Sequence, residues 1–243
     1  MTDSVGDSTI LRYWMIVPAA GNGSRMQQSI AKQYLPLAGS TVLEITLTRL
    51  KALQLFEKIV VPIGSEDSLW QGTNLASDNT FLAIQGGAQR SDSVMAALLA
   101  LEDMADENDW VLVHDAARPC FKNTDIKRMV TRLAQHPVGG LMAEPILDTV
   151  KQVDKNDIVV KTIDRKLHWR AQTPQMFRYG LLKTGLEKAT KSSVEITDEA
   201  SAVEFLGLQP VVVRGSASNI KITLPGDLNL AEYYLAEGSL DSE

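Results

Sequence analysis

Four stretches of this chain carry residue types at spacings that could do chemistry. The first is Pro18-Ala19-Ala20-Gly21-Asn22-Gly23-Ser24-Arg25-Met26, followed shortly by Lys32-Gln33-Tyr34. An apolar run, Trp14 to Val17, breaks here into residues with almost no side-chain bulk. Such backbone admits a ligand closely, and its amide N–H groups can point at an anion. Arg25 and Lys32 add positive charge to the same loop, so the stretch reads as a phosphate cradle, although any strand-to-helix turn also favours glycine. Two known phosphate motifs do not fit. The fingerprint G-x-G-x-x-G would need a third glycine where Met26 stands, and a P-loop would need four residues between its glycines and a Lys-Ser/Thr pair after them. What remains is a long connection of the kind that serves as a lid or binding loop.

The second stretch is Gln85-Gly86-Gly87-Ala88-Gln89-Arg90-Ser91-Asp92-Ser93. Glycines at a strand's carboxyl end before a serine-capped helix suit ligand approach, and equally suit a tight turn with its cap. The third is His114-Asp115-Ala116-Ala117-Arg118, directly after the apolar Trp110 to Val113. An acid at a strand's carboxyl end is a favoured place to organise Mg²⁺ around phosphates, so Asp115 is the metal-side candidate; capping of the next turn is the plainer alternative. The fourth is Asn219-Ile220-Lys221-Ile222-Thr223, a lysine within an otherwise apolar strand. It needs an anionic partner unless its side chain reaches water. Thr197-Asp198-Glu199-Ala200 reads as a helix start with a hydroxyl cap and acids in the first turn. His114 fits a packed strand residue, and His136 and His168 sit in no local motif.

These groups need elements to position them. Thr41-x-x-Glu44 is a capping box, with Leu43, Leu47, Leu50 and Leu53 following at helical spacing. Lys58 to Ile63 and Phe81 to Ile84 read as buried parallel strands, and Val94 to Leu101 as a helix. No acid ends the Lys58 to Ile63 strand, where a nicotinamide enzyme would hold its ribose. Asn123 or Thr124 caps a helix reaching about Gln135, and Gly140 to Ala143 is a short strand. Asp148 to Val153 and Ile158 to Ile163 flank the polar turn Asp154-Lys155-Asn156-Asp157, forming a β-hairpin arm within residues 145–165. Val211 to Val213 and Ile220 to Ile222 supply the last strands, and Pro225-Gly226-Asp227-Leu228 opens the last helix.

With 243 residues, 44% hydrophobic and 22% charged, the chain is most simply one α/β domain over 1–243. A net charge of −6 argues against nucleic acid as a partner. Polar residues open the sequence and no apolar run reaches membrane-spanning length, which points to the cytoplasm and away from the membrane. Cys120 is the single cysteine, so neither an internal disulfide nor a cysteine-based zinc site is expected.

The first stretch resembles the signature of sugar-phosphate nucleotidyltransferases, specifically the 2-C-methyl-D-erythritol 4-phosphate cytidylyltransferases. The other motifs, including Thr173-Pro174-Gln175, follow in that family's order from Met15 to Tyr234. The resemblance implies a three-layer α/β fold, a mostly parallel twisted sheet of Rossmann-like type with the hairpin arm inserted. It implies attack of a sugar-alcohol phosphate oxygen on the α-phosphorus of CTP, with pyrophosphate leaving. The implied CTP contacts are Pro18, Ala19, Ala20, Gly21, Gly23, Arg25, Lys32, Gly87, Ser93 and Asp115. Arg25, Lys32 and Lys221 are the implied catalytic residues, and Asp115 the residue beside Mg²⁺. Asp115, Arg118, Thr149, Arg165, Thr173, Thr197 and Lys221 match positions for the acceptor alcohol and its phosphate. One departure is Ala88, where some members carry an aspartate, so base reading there lacks that side chain. The resemblance also implies a homodimer whose arms carry Thr149 and Arg165 into the neighbouring site. The rival readings are a cytidylyltransferase for another alditol phosphate, such as ribitol 5-phosphate, and a nucleotide-sensing module without turnover.

Overall fold

In a computed structural model, which describes residues 11–21 and 30–236, the chain builds its sheet outward from β1 (Tyr13–Ile16). The side chains of this strand and of Val17 just after it alternate between two cores: Met15 and Val17 pack on one side, Trp14 and Ile16 on the other. The same alternation runs through β4 (Ile59–Ile63) and β6 (Trp110–Val113). Strands apolar on both faces need cover on both, which is the condition of a buried parallel sheet. Leucines of α1 (Val42–Ala52) and apolar residues of α3 (Asn123–Leu133) cover one face. The other is covered by α2 (Arg90–Ala100), α4 (Tyr179–Lys191) and α5 (Glu199–Glu204). Three layers result.

Adding β5 (Phe81–Gln85), β7 (Gly139–Pro145), β10 (Trp169–Arg178) and β11 (Val211–Arg214), the strand order is β11-β7-β10-β6-β1-β4-β5. Only β10 runs against its neighbours, so the sheet is mostly parallel, as expected. From β1 the chain moves out through β4 and β5 and then returns to the far side of β1 as β6. Between β1 and β6 the connections therefore diverge, opening the crevice where open α/β sheets take ligands. A small antiparallel pair, β2 (Pro36–Leu37) and β3 (Ser40–Thr41), leads into α1. The last helix, α6 (Gly226–Ala236), buries Ala231 in a third cluster with Leu35, Val42 and Ile222.

The hairpin forms as a separate ribbon, β8 (Val150–Val153) paired with β9 (Val159–Ile163), with an irregularity between Gln152 and Val153. Asp154 Oδ1 accepts from the amides of Asn156 and Ile158, which closes the turn.

Thr41 and Glu44 form the expected capping box. Other expectations need correction. Helix α2 starts at Arg90 with Gln89 as its cap, its side chain boxed with Asp92, so Ser93 lies inside the first turn. Lys122 precedes α3 at the cap position, placing Asn123 and Thr124 in the helix. Asp198, not Thr197, caps α5, because its carboxylate accepts from the Ser201 amide. Residues Ile220 to Ile222 form no strand; separate elements hold them through isolated bonds rather than a ladder. Neither β10 nor α4 was expected. Pro174, in a cis peptide with Thr173, breaks the strand pattern where the ladder to β7 shifts register, and Gly180 and Gly185 depress the helical signal of α4.

Candidate active site

The loops after β1, β5 and β6 enclose a cavity of about 300 Å³ at the carboxyl end of the sheet. Pro18, Ala19, Ala20 and Gly21 form one wall, Gly87, Ala88 and Ser93 another, and Asp115 to Ala117 the floor. Close packing of two loops dictates the glycines. A Cβ at Gly86 would lie 2.6 Å from Ala20 Cβ, and one at Gly87 would lie 2.3 Å from Asp92 Cβ. The Gly87 N–H donates to Ser93 Oγ (3.1 Å), whose hydroxyl donates to the Gln89 carbonyl (3.1 Å), so the buried serine ties loop to helix.

Lys32 sits on a short 3-10 helix, Lys32–Tyr34, that buried contacts fix to the first loop. Gln33 Nε2 donates to the Ala19 carbonyl (2.6 Å), and Tyr34 Oη donates to Asp67 (2.8 Å). Lys32 Nζ reaches the Ile222 carbonyl at 3.4 Å, joining the first loop to the segment that carries Lys221. Other ties hold that segment: Arg118 Nη1 donates to Asn219 O (2.7 Å), Asn219 Nδ2 to Thr173 O (2.7 Å) and Ile222 N to Ala117 O (2.8 Å). Lys221 and Lys32 thus line the same cavity, 189 positions apart in sequence.

Asp115 stands at the centre of the charges. Its Oδ1 accepts from Arg90 Nε (3.0 Å), and its Oδ2 from Lys221 Nζ (3.0 Å) and Arg118 Nε (3.2 Å). Burial alone would push its pKa up, but the three cations outweigh burial and hold it far below the usual carboxylate range. Beneath it, Thr173 Oγ1 accepts from the Asp115 amide (3.0 Å) and lies 3.0 Å from His114 Nδ1. His114 Nε2 faces the Arg118 carbonyl at 3.0 Å, which requires a proton on Nε2 and leaves Nδ1 to accept the threonine hydroxyl. Burial lowers the His114 pKa to about 4, so the ring is neutral and structural.

The structure thus brings together Pro18, Ala19, Ala20, Gly21, Lys32, Gly87, Ser93, Asp115 and Lys221 around one cavity, with Arg118 and Thr173 in direct contact with Asp115. It does not bring the others there. Thr149 and Arg165 lie exposed at the base of the hairpin, where Arg165 donates to the Leu147 carbonyl, and Thr197 is exposed at the approach to α5. Gly23 and Arg25 lie outside the described residues. Sequence reasoning missed Arg90, whose Nη1 and Nη2 grip Glu199 at 2.6 and 3.0 Å. The local signal is weak: a cation in the first turn of a helix opposes the helix dipole, but this does not say which residue answers it.

Among the described residues, no group of three or more His, Cys, Asp or Glu is placed to hold a metal. Asp115 is a lone carboxylate with both oxygens engaged by cations. That donor set fits a divalent ion held chiefly by substrate phosphates with at most one carboxylate, the common mode for Mg²⁺.

A cleft that walls a ligand with backbone and surrounds it with ammonium and guanidinium groups offers what nucleotidyl transfer asks of a protein, namely position and charge rather than covalent chemistry. The fold and site are those of an α/β nucleotidyltransferase. Residues 13–237 match the sequence model of the 2-C-methyl-D-erythritol 4-phosphate cytidylyltransferases. An Aliivibrio fischeri (strain MJ11) protein of that name is 44% identical over 228 residues, covering 94% of this chain and 95% of the relative. Its Pseudomonas putida (strain W619) counterpart is 46% identical over 222 residues, covering 90% and 94%. The crystal structure of the Francisella tularensis enzyme superposes with a TM-score of 0.80 at 39% identity, covering 92% of this chain and 99% of that one. The chain belongs to the 2-C-methyl-D-erythritol 4-phosphate cytidylyltransferase family and is a cytidylyltransferase.

Proposed function

We propose that the chain transfers the cytidylyl group of CTP to 2-C-methyl-D-erythritol 4-phosphate, releasing pyrophosphate, as a step of non-mevalonate isoprenoid precursor synthesis. The observation that carries the assignment of roles is the pair of lysines, Lys32 and Lys221, lining one glycine-walled cavity beside Asp115. In this reading the cytosine lies between the Ala19-Ala20 and Gly86-Gly87 loops, read by backbone groups and Ser93. Arg25 and Lys32 take the triphosphate. Lys221, with Lys32, meets the charge that grows on the α-phosphate as the acceptor oxygen attacks and pyrophosphate departs. Asp115 holds Lys221 and Arg118 in place, Arg118 faces the acceptor, and Thr173 supports Asp115 from beneath. Mg²⁺ on the triphosphate would supply charge neutralisation, with Asp115 the nearby carboxylate.

The arm completes the site in a homodimer. Leu147, Ile158, Val159, Val160 and Leu167 are all exposed, and a two-stranded ribbon is barely stable alone in water. A two-fold pairing would bury those surfaces and carry Thr149 and Arg165 to the partner's acceptor phosphate. No described helix is long and apolar enough to cross a membrane, in keeping with a cytoplasmic enzyme that handles soluble phosphates.

Pyrophosphate release with each nucleotide and acceptor tests this reading. CTP with methylerythritol phosphate should exceed UTP, ATP and GTP, and should exceed CTP with ribitol 5-phosphate. Comparable turnover with UTP would overturn the backbone reading of the base, and a preference for ribitol 5-phosphate would move the chain to the other alditol.

A further inference from the structure

Arg90 and Glu199 have no role in the scheme above, yet they form a largely buried, bidentate ion pair beside the cavity. Glu199 is 1% exposed in the first turn of α5, and Arg90 opens α2 on the nucleotide side. The guanidinium turns both terminal nitrogens to Glu199, at 2.6 and 3.0 Å, leaving Nε to Asp115 Oδ1 at 3.0 Å. We propose that Arg90 and Glu199 are a positioning pair that restricts Arg90 to one oxygen of Asp115, keeping the other oxygen for Lys221 and Arg118. The inference rests on the role given above to Lys221.

Geometry supplies the reason. A free guanidinium engages a carboxylate through two parallel N–H donors. Without Glu199 to occupy the terminal nitrogens, Arg90 would take both oxygens of Asp115 and draw Oδ2 away from Lys221. Charge acts the same way. Asp115 alone faces Arg90, Arg118 and Lys221, and Glu199 supplies the second negative charge that moderates repulsion among them. A lysine at position 90 could not replace the fork, because one ammonium cannot hold Glu199 bidentately and Asp115 as well. The pair also joins two helices, α2 behind the loop that holds Gly87 and α5 beside it on the same face of the sheet, so a disturbance there reaches the Gly87 loop as well as Asp115.

The test uses Glu199→Gln, Glu199→Asp, Arg90→Lys and the double variant Arg90→Lys/Glu199→Gln. Glu199→Gln and Arg90→Lys should each lower kcat about 10- to 100-fold, the scale of a misplaced catalytic group, with the KM for CTP changed less than about threefold. The double variant should lose little more than the worse single, because one device is broken twice. Glu199→Asp should recover most of the loss. An independent readout is the acylation rate of Lys221, followed by mass spectrometry of its peptide: its side chain, 38% exposed with its ammonium paired to Asp115, should react faster in Glu199→Gln at a temperature where the variant is fully folded. A lowered Tm with unchanged kcat and unchanged labelling would make the pair structural and overturn the proposal. A raised KM for CTP in Arg90→Lys alone would overturn it in favour of direct triphosphate binding. If Glu199→Gln fails to fold, Arg90→Lys and Glu199→Asp decide by the same two readouts. Wild-type protein without turnover would sink the functional reading, while the labelling would still decide the pair.

Discussion

Lys221 sits half-exposed at the mouth of the cavity, with its ammonium 3.0 Å from Asp115 and its neighbours Asn219 and Ile222 tied to the Ala117-Arg118 loop and to Thr173. A charge held this way before substrate arrives needs little reorganisation when the α-phosphate becomes more negative, and that difference accelerates reaction. Lys221→Ala should therefore lower kcat by roughly 10²- to 10³-fold, about 3 to 4 kcal/mol of transition-state stabilisation, while the Kd for CTP moves far less. Steady-state pyrophosphate release and calorimetric titration measure the two. Near-normal turnover would make the lysine structural. Lys32→Ala should weaken CTP binding as well as turnover, since Lys32 faces the glycine loop. Thr173→Val tests the support beneath Asp115. It keeps shape but leaves the Asp115 amide and His114 Nδ1 buried without their partner, which costs about 1 to 3 kcal/mol for each unsatisfied group and should appear as a lowered Tm.

Among the elements, α2 and the loop before it form the most constrained unit at the site. Ser93 bonds back to the Gly87 amide, and Gln89 and Asp92 box the helix start, so the loop conformation is built into the first turn. Gly87→Ala would drive a Cβ to 2.3 Å from Asp92 Cβ, forcing loop and helix apart. The KM for CTP should rise by about tenfold or more, because small displacements of a positioned site are costly. The KM for the acceptor should change less. Equal effects on both would mean that the loop serves the whole cleft rather than the nucleotide.

Across the whole molecule, the shared site and the buried charges set two expectations. Co-expression of Lys221→Ala with Arg165→Ala should restore activity that neither homodimer shows. With random pairing, about half of the dimers are mixed, and each mixed dimer has one site carrying both defects and one carrying neither. About a quarter of all sites should recover. Verified mixed dimers without recovery would mean that Arg165 serves its own subunit or no site. The second expectation concerns acid. His114 has an ordinary value of 6.5 and burial lowers it to about 4, so between these pH values the unfolded chain binds a proton that the folded chain refuses. Stability should therefore fall as pH drops from 6.5 towards 4, by up to about 3 kcal/mol from this residue. Urea midpoints across that range would show the slope, and His114→Gln should flatten it.

The apolar runs Trp14 to Val17, Ile59 to Ile63 and Trp110 to Val113 by themselves determined a buried parallel sheet, because only cover on both faces satisfies such strands. The glycine loops and Asp115 were legible for a similar local reason, since lack of bulk and a carboxylate at a strand end have meaning wherever the chain goes. Thr41 and Glu44 marked their helix start within four residues. Lys221 was singled out as a lysine needing an anion, but the anion was Asp115, more than a hundred positions away, and only the tertiary structure could supply it. The same holds for Arg90 and Glu199, whose local pattern reads as ordinary helix starts; two helices packed on one face of the sheet made them partners. β10 stayed illegible because Pro174 interrupts its pattern, while the ladders to β6 and β7 on either side hold the strand in place. Periodicity and capping act over one or two turns of chain, and the sequence determined what such short-range forces fix. Charge pairing across the cleft acts between segments remote in sequence, and only the folded chain decided it.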